Sequence, residues 1–131
     1  MKSNPVVHFE MPYENSERLQ KFYSEAFGWQ MQQLGGDMND YILAGTTETD
    51  ENQMVKAPGT INGGFFPKSQ VPQAGTSVVI SVDDIHAAIK RILDAGGIPE
   101  GEPMEIPGIG KWLVFTDTEG NRVSILQPMA M

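Results

Sequence analysis

Val6-Val7-His8-Phe9-Glu10-Met11 is typical of a β-strand near the start of the chain, and Ser77-Val78-Val79-Ile80-Ser81-Val82 is typical of a second strand beyond its middle. A polar or acidic capping stretch, an amphipathic helix and a glycine follow each strand in the same order. Such a repeat predicts two copies of one small unit that bury a common core. It also predicts that the groove between the copies is where a ligand could bind.

The two helices are predicted from apolar residues at the spacing i, i+3, i+4, i+7 and i+8, which gives each helix one buried face. The residues at this spacing are Leu19, Phe22, Tyr23, Ala26 and Phe27 in the first copy, and Ile85, Ala88, Ile89, Ile92 and Leu93 in the second. The candidate capping residues are Asn15 or Ser16 with Gly28 for the first helix, and Asp83 or Asp84 with Gly96 for the second.

Three further strand-like stretches follow each helix, so the chain is predicted to form two tandem βαβββ units of an α+β fold. These stretches cover about 30–34, 40–44 and 60–66 in the first unit, and about 98–103, 111–116 and 122–127 in the second. We expect one domain over residues 1–131, with a first unit at about 5–66, a linker at 67–75 and a second unit at about 76–128.

Length and charge limit the classes of partner. A chain of 131 residues suits one compact domain, and a net charge of -8 would repel a phosphate backbone, so we expect no nucleic-acid partner. No stretch approaches the ~18 consecutive apolar residues of a membrane span, and the first residues are too polar to begin a signal peptide. We therefore expect a cytoplasmic protein without a membrane partner. The absence of cysteine excludes disulfides, thiolate metal sites and a cysteine nucleophile.

Several ordered motifs together resemble the vicinal oxygen chelate superfamily, which holds glyoxalase I, bleomycin-resistance proteins and extradiol dioxygenases. They are the duplicated βαβββ unit, Phe22-Tyr23 before Phe27-Gly28-Trp29, Val82-Asp83-Asp84 at the second helix, Gly96-Gly97, and Phe115-Thr116-Asp117-Thr118-Glu119-Gly120-Asn121 before the last strand. The resemblance covers roughly Val6 to Pro128. It implies that the strands of each unit form a half-open cup, that the two cups lie side by side, and that the chain is a homodimer.

The resemblance also implies a divalent metal held by side chains that project from the strands into the cup. His8 lies 14 residues before Phe22, where glyoxalase-like members carry their first-strand ligand. Ser77 occupies the position of a usual His or Gln, and Ser124, four residues after Gly120, occupies that of a usual Glu. A metal site typically needs about three His or carboxylate ligands, and a serine hydroxyl is a weak neutral donor. We therefore expect a depleted metal site, with His8 as its candidate ligand and no committed cofactor.

No other residue is expected to replace the missing metal ligands. The fourth family position falls near Asn62 or Gly64, and the second histidine, His86, lies in the first turn of the second helix. In an extended strand, His8 and Glu10 project on the same side. For His8, three interpretations stay open: a metal ligand, a polar contact with a bound ligand, or a hydrogen-bonded structural histidine. Glu10 is either a general base in a dry cup or a carboxylate satisfied at the rim.

Aromatic residues on the predicted strands offer an apolar lining. Tyr41, Trp112 and Phe65 could line a ligand cup or pack against the helices, because the sequence does not reveal which strand face is concave. The candidate ligand-binding residues are His8, Glu10, Tyr41, Ser77, Trp112 and Ser124, and the candidate catalytic residues are His8 and Glu10.

Three functions follow from this interpretation. The favoured function is a glyoxalase/bleomycin-resistance-like protein that binds a small molecule in its cup without the usual family metal. The alternative is a metal-dependent lyase, isomerase or dioxygenase of the same superfamily that uses His8 and Glu10. The third is an interaction module without a ligand, which would lack a pocket of about 300 Å³ or more between the strands.

Overall fold

The computed structural model describes residues 2–36, 40–70 and 75–129, which form eight strands and two α-helices. The elements are β1 (Val6–Tyr13), α1 (Ser16–Phe27), β2 (Gln30–Gln33), β3 (Ile42–Gly45), β4 (Asn62–Pro67), β5 (Ser77–Ser81), α2 (Ile85–Asp94), β6 (Ile98–Ile106), β7 (Gly110–Thr116) and β8 (Arg122–Pro128). The predicted α+β fold with two βαβββ units is confirmed. The predicted linker at 67–75 begins with the end of β4 and a 3-10 turn, Lys68–Gln70, and lies partly outside the described residues. Within the described ranges, no helix is long and apolar enough to cross a membrane.

The chain divides into two compact units. We define the first unit as His8–Thr76. The second unit comprises the chain up to Val7 together with the residues from Ser77 onwards. In the first unit the strand order is β2-β3-β4-β1, with β1 parallel to β4 and the other pairs antiparallel. In the second unit the order is β6-β7-β8-β5, with β5 parallel to β8 and the other pairs antiparallel. The sequence repeat is therefore also a repeat of topology.

The core of the first unit lies between its strands and α1. Its buried residues are Tyr13, Ile42, Ala44 and Phe65, and Leu19 and Tyr23 of α1 pack against them. The prediction that the whole apolar stripe of α1 forms one buried face is wrong, because Phe22 is 55% exposed and Phe27 is 63% exposed. Leu19 and Tyr23 are one turn apart and contact the core, which leaves the two phenylalanines on the flank of the helix.

The fully buried residues in the core of the second unit are aliphatic, and Phe115 packs against them as a partly buried ring. The buried residues are Val82, Ile85, Ala88, Leu113 and Ile125, and further hydrophobic side chains of α2 pack against them. The stripe of α2 is predicted correctly for Ile85 and Ala88, whereas Leu93, in the last turn, is 58% exposed.

The N-cap of α2 gives a first testable prediction. The Asp84 side chain accepts hydrogen bonds from the backbone N–H groups of His86 at 3.0 Å and Ala87 at 3.2 Å. Asp83 instead makes an exposed ion pair with Lys2. We expect Asp84→Ala to lower the free energy of unfolding by about 1 kcal/mol in urea denaturation, because two helix N–H groups lose their partner.

Asp83→Ala is the matched control for this cap. It removes a carboxylate one residue away, and because exposed ion pairs contribute little, its effect should stay below about 0.5 kcal/mol. Equal losses for the two variants would show that the Asp84 cap does not stabilise the helix.

Candidate functional site

The alternation of β1 separates a core face from a polar face. Phe9, Met11 and Tyr13 contribute to the core of the first unit. His8 and Glu10 alternate with them and therefore project from the opposite face of the strand. We call this side of the first unit the polar face and define it by His8, Glu10 and Tyr41.

These three side chains form one hydrogen-bonded chain. The Tyr41 hydroxyl donates to Glu10 Oε2 at 2.9 Å, and His8 Nε2 lies 3.0 Å from the same hydroxyl oxygen. A tyrosine hydroxyl has a single hydrogen, which is committed to Glu10, so His8 must donate from Nε2. The other ring nitrogen, Nδ1, then carries a lone pair and has no hydrogen-bond partner among the residues that the structure describes. It is an acceptor that a ligand could use.

A glycine makes room for the central tyrosine. Gly64 is the Cα partner of Glu10 in the parallel pairing of β1 with β4. A Cβ placed on Gly64 would overlap both the ring and the hydroxyl of Tyr41. Tyr41 therefore lies directly over the Gly64 backbone, where no other residue type would leave it enough space.

Burial sets the charge states of this group. Desolvation lowers the pKa of His8 from 6.5 to about 4, so its imidazole is neutral at pH 7. The pKa of Tyr41 is raised well above its ordinary value, first by desolvation and then by the nearby Glu10 carboxylate and the hydrogen bond to it. At neutral pH the polar face thus presents a neutral imidazole and a neutral phenol.

Removing the Tyr41 hydroxyl tests the hydrogen-bonded chain. We expect Tyr41→Phe to lower the free energy of unfolding by about 1–3 kcal/mol, because His8 Nε2 and Glu10 Oε2 both lose this partner in a partly buried place. Tyr23→Phe is the matched control, since the Tyr23 hydroxyl has no hydrogen-bond partner within the described residues. Urea denaturation of both variants measures the difference. A Tyr41→Phe effect no larger than that of Tyr23→Phe would contradict the role of the hydroxyl.

Asn62, one of the two candidates for the fourth family position, has a structural partner. Its side-chain oxygen accepts hydrogen bonds from the backbone N–H groups of Thr46 at 2.8 Å and Thr47 at 3.1 Å. It therefore holds the chain that leaves β3. Phe65 likewise belongs to the core beneath α1, with 1% of its surface exposed, and not to a ligand-lining face.

The second unit carries a small pocket on the strand face opposite α2. Trp112 and Val114 alternate with the core residue Leu113, and they line a cavity of about 140 Å³ with Met104 and Glu102. Trp112, a predicted ligand-binding residue, therefore lies at a cavity wall. Tyr41 of the first unit likewise lies on the side away from its helix, with its hydroxyl between His8 and Glu10.

The two serines of the second unit lie on β5 and β8. Ser124 is 3% exposed, and its Cα pairs with those of Val79 and Val114. Its hydroxyl has no hydrogen-bond partner in the described part of the chain. The Ser77 hydroxyl makes only a long contact of 3.4 Å with the carbonyl oxygen of Val78.

An ion pair in this pocket was not predicted from the sequence. Arg122 donates from Nε and Nη2 to the two carboxylate oxygens of Glu100, at 2.9 and 3.3 Å. The pairing register places both residues on the Trp112 face, but β6 has an irregularity between Glu100 and Met104. Periodicity alone could not align these strands across that irregularity.

The donor set does not fit a divalent metal with about three protein ligands. Throughout the ranges 2–36, 40–70 and 75–129, no group of three or more His, Cys, Asp or Glu side chains could hold a metal ion. At the polar face, His8 directs Nε2 to a tyrosine, and the positions in the second unit where the resemblance implies ligands carry Ser77 and Ser124.

The topology and motifs agree with a known family. The sequence profile of the glyoxalase/bleomycin resistance protein/dioxygenase superfamily matches residues 6–125. The chain belongs to this superfamily. A glyoxylase-like domain-containing protein of Didymella fabae is 32% identical over 124 residues, covering 92% of this chain and 91% of the relative. A probable lactoylglutathione lyase of Vibrio cholerae serotype O1 is 26% identical over 129 residues, covering 97% of this chain and 93% of the relative.

Solved structures of glyoxalase-superfamily topology extend the likeness to the fold. Methylmalonyl-CoA epimerase of Streptomyces coelicolor, in complex with 2-nitronate-propionyl-CoA, superposes with a TM-score of 0.70 at 12% identity. The match covers 98% of this chain and 100% of the epimerase chain. Methylmalonyl-CoA epimerase from Mycobacterium tuberculosis superposes with a TM-score of 0.63 at 13% identity, covering 95% and 88% of the two chains. At this level of identity the likeness shows the fold alone.

Proposed function

We propose that this glyoxalase-superfamily chain binds a small molecule on the polar face of its first unit without the usual family metal. The observation that carries the proposal is the chain of hydrogen bonds from His8 through Tyr41 to Glu10. These hydrogen bonds fix three polar groups on the face of the strands that does not contribute to the hydrophobic core. Ligand sites combine apolar walls with a small number of such fixed polar groups.

The chemistry of the polar face selects the ligand. Neutral His8 offers the Nδ1 lone pair as an acceptor, so a ligand with a hydroxyl, amide or other N–H or O–H donor is favoured. A cationic imidazole would instead favour anions, but the lowered pKa of His8 excludes that form at pH 7. Hydrogen bonds in such a partly desolvated place contribute more to selectivity than they would in water.

A fragment screen by ligand-observed NMR tests the proposal. Protein purified without added metal is screened against small alcohols, amides and hydroxy acids, together with lactoylglutathione and methylmalonyl-CoA. We expect binders whose signals are lost in His8→Ala and Tyr41→Phe. They should persist in His86→Ala, which removes the other histidine from the first turn of α2. A screen without any binder that depends on His8 would reject the proposal.

Metal analysis separates this function from the metal-dependent alternative. A metal-dependent lyase, isomerase or dioxygenase that uses His8 and Glu10 requires an ion bound in stoichiometric amount. We expect well below one Ni, Zn, Fe or Mn per chain after purification without added metal. One ion per chain that is lost in His8→Ala would favour the enzyme. The homodimer expected from the family is a further proposal, and a monomeric mass in sedimentation at micromolar concentration would reject it.

A further inference from the structure

A groove at the start of α1 is separate from the polar face. It has a volume of about 520 Å³ and lies among the end of β1, the first half of α1 and Lys68. Small-molecule sites commonly measure about 300–1,000 Å³, so the groove is large enough to take a ligand of several rings or a short chain. Because its wall includes Leu19 and Tyr23, which pack on the core, it lies on the helix side of the first unit.

The wall of the groove is apolar and aromatic. Phe22 is 55% exposed, and its ring packs edge to face on Tyr23 with a centroid separation of 5.0 Å. Tyr23 in turn stacks on Trp29 at 4.6 Å, so the exposed Phe22 ring rests on a fixed aromatic base. A planar ring that enters the groove could pack against Phe22 in the same way, because aromatic pairs prefer offset or edge-to-face contact.

The groove carries a net charge opposite in sign to that of the whole protein. Its charged side chains are Arg18, Lys68 and Glu14, giving a local charge of +1 on a chain of net charge -8. Lys68 is paired with Glu14 at 3.3 Å. Arg18 has no ion pair and no side-chain hydrogen bond with any of the described residues, so its guanidinium is available. It also lies in the first turn of the 12-residue α1, where the helix dipole favours negative charge as well.

We propose that this groove binds a small aromatic anion, with its ring against Phe22 and Tyr23 and its carboxylate or sulfonate on Arg18. The charge complementarity and the exposed aromatic wall select this class over a neutral or cationic ligand. The groove is independent of the polar face, because His8 and Glu10 project from the other side of β1.

Fluorescence titration with 8-anilinonaphthalene-1-sulfonate tests the groove, with N-phenyl-1-naphthylamine as the uncharged comparison. We expect saturable binding of the sulfonate that weakens about tenfold in Arg18→Gln, because a charge-assisted contact is lost. The uncharged probe should bind less tightly and should not respond to Arg18→Gln. Phe22→Ala should weaken both probes.

Control variants locate the binding. Lys21→Gln removes a cation of α1 that does not line the groove, so it should retain the sulfonate affinity. His8→Ala should also retain it, which separates this groove from the proposed function. The proposal is overturned if the sulfonate does not bind saturably, or if Arg18→Gln and Phe22→Ala leave its affinity unchanged. Loss of binding in His8→Ala alone would place the probe on the polar face and would equally overturn it.

Discussion

Gly64→Ala is expected to displace Tyr41 from the polar face and to lower the free energy of unfolding by about 2 kcal/mol. The added methyl group would occupy the space of the Tyr41 ring and hydroxyl. Tyr41 can move only by giving up its hydrogen bonds to Glu10 and His8, so the substitution opens the polar face to water. The pKa of His8 should then rise from about 4 towards its ordinary value of 6.5, because less of the imidazole is desolvated.

Two measurements separate this effect from a general loss of packing. An NMR titration of the His8 ring reports the pKa, and urea denaturation reports stability. Gly75→Ala is the control, since a Cβ there meets nothing within 4 Å. In the Tyr41→Ala background, Gly64→Ala should cost little further stability, because the clashing ring is gone. The explanation would be refuted if Gly64→Ala lowered the free energy of unfolding of the Tyr41→Ala variant as much as that of the wild type. An unchanged His8 pKa in the single Gly64→Ala variant would also refute it.

Acid is expected to destabilise the protein through His8 by up to about 3 kcal/mol. The pKa of His8 is about 4 in the folded chain, against 6.5 as the ordinary value that an unfolded chain would show. Between these two values the unfolded chain binds more protons, so stability rises with pH. The contribution of neutral His8 to the free energy of unfolding is therefore complete above about pH 6.5 and is lost as the pH falls through 4.

Denaturation curves from pH 7 to pH 4 measure this contribution. Carboxylates also titrate at the acid end, so the informative quantity is the difference between the wild type and His8→Gln. We expect His8→Gln to flatten the pH dependence between 6.5 and 4, and His86→Gln to leave it as in the wild type. Parallel curves for the wild type and His8→Gln would show that His8 is not buried as a neutral imidazole.

Repetition and periodicity account for the fold because they are local properties of the chain. The helical spacing, the strand-like stretches and the turn residues each depend on near neighbours, and the predicted elements lie within a few residues of the observed ones. The largest difference is at the end of β6, which continues to Ile106. Phe22 and Phe27 were assigned wrongly, because helical spacing defines a stripe but not how much of it the sheet covers. Burial on a flank depends on packing that sequence alone does not show.

The candidate site was predictable in part. Strand alternation correctly places His8 and Glu10 on one side of β1. The contact with Tyr41 could not be predicted, because it depends on the register between β1 and β4 and on the space above Gly64. The Arg122–Glu100 pair was missed for the same kind of reason. The register of β6 shifts between Glu100 and Met104, so spacing along the sequence does not show which residues lie opposite each other in the sheet.

The division of β1 between the two compact units has a consequence for dissecting the protein. The chain up to Val7 belongs with the residues from Ser77 onwards, and Pro5 accepts a hydrogen bond from the Ser81 backbone N–H at 2.9 Å. A gene cut at the segment joining the two repeats would encode a C-terminal half that lacks this extension. The N-terminal half would carry it without its partner strand. Such a cut would separate the Pro5 carbonyl from the Ser81 N–H group, so a fragment of the second unit would need the chain up to Val7 supplied together with the residues from Ser77 onwards.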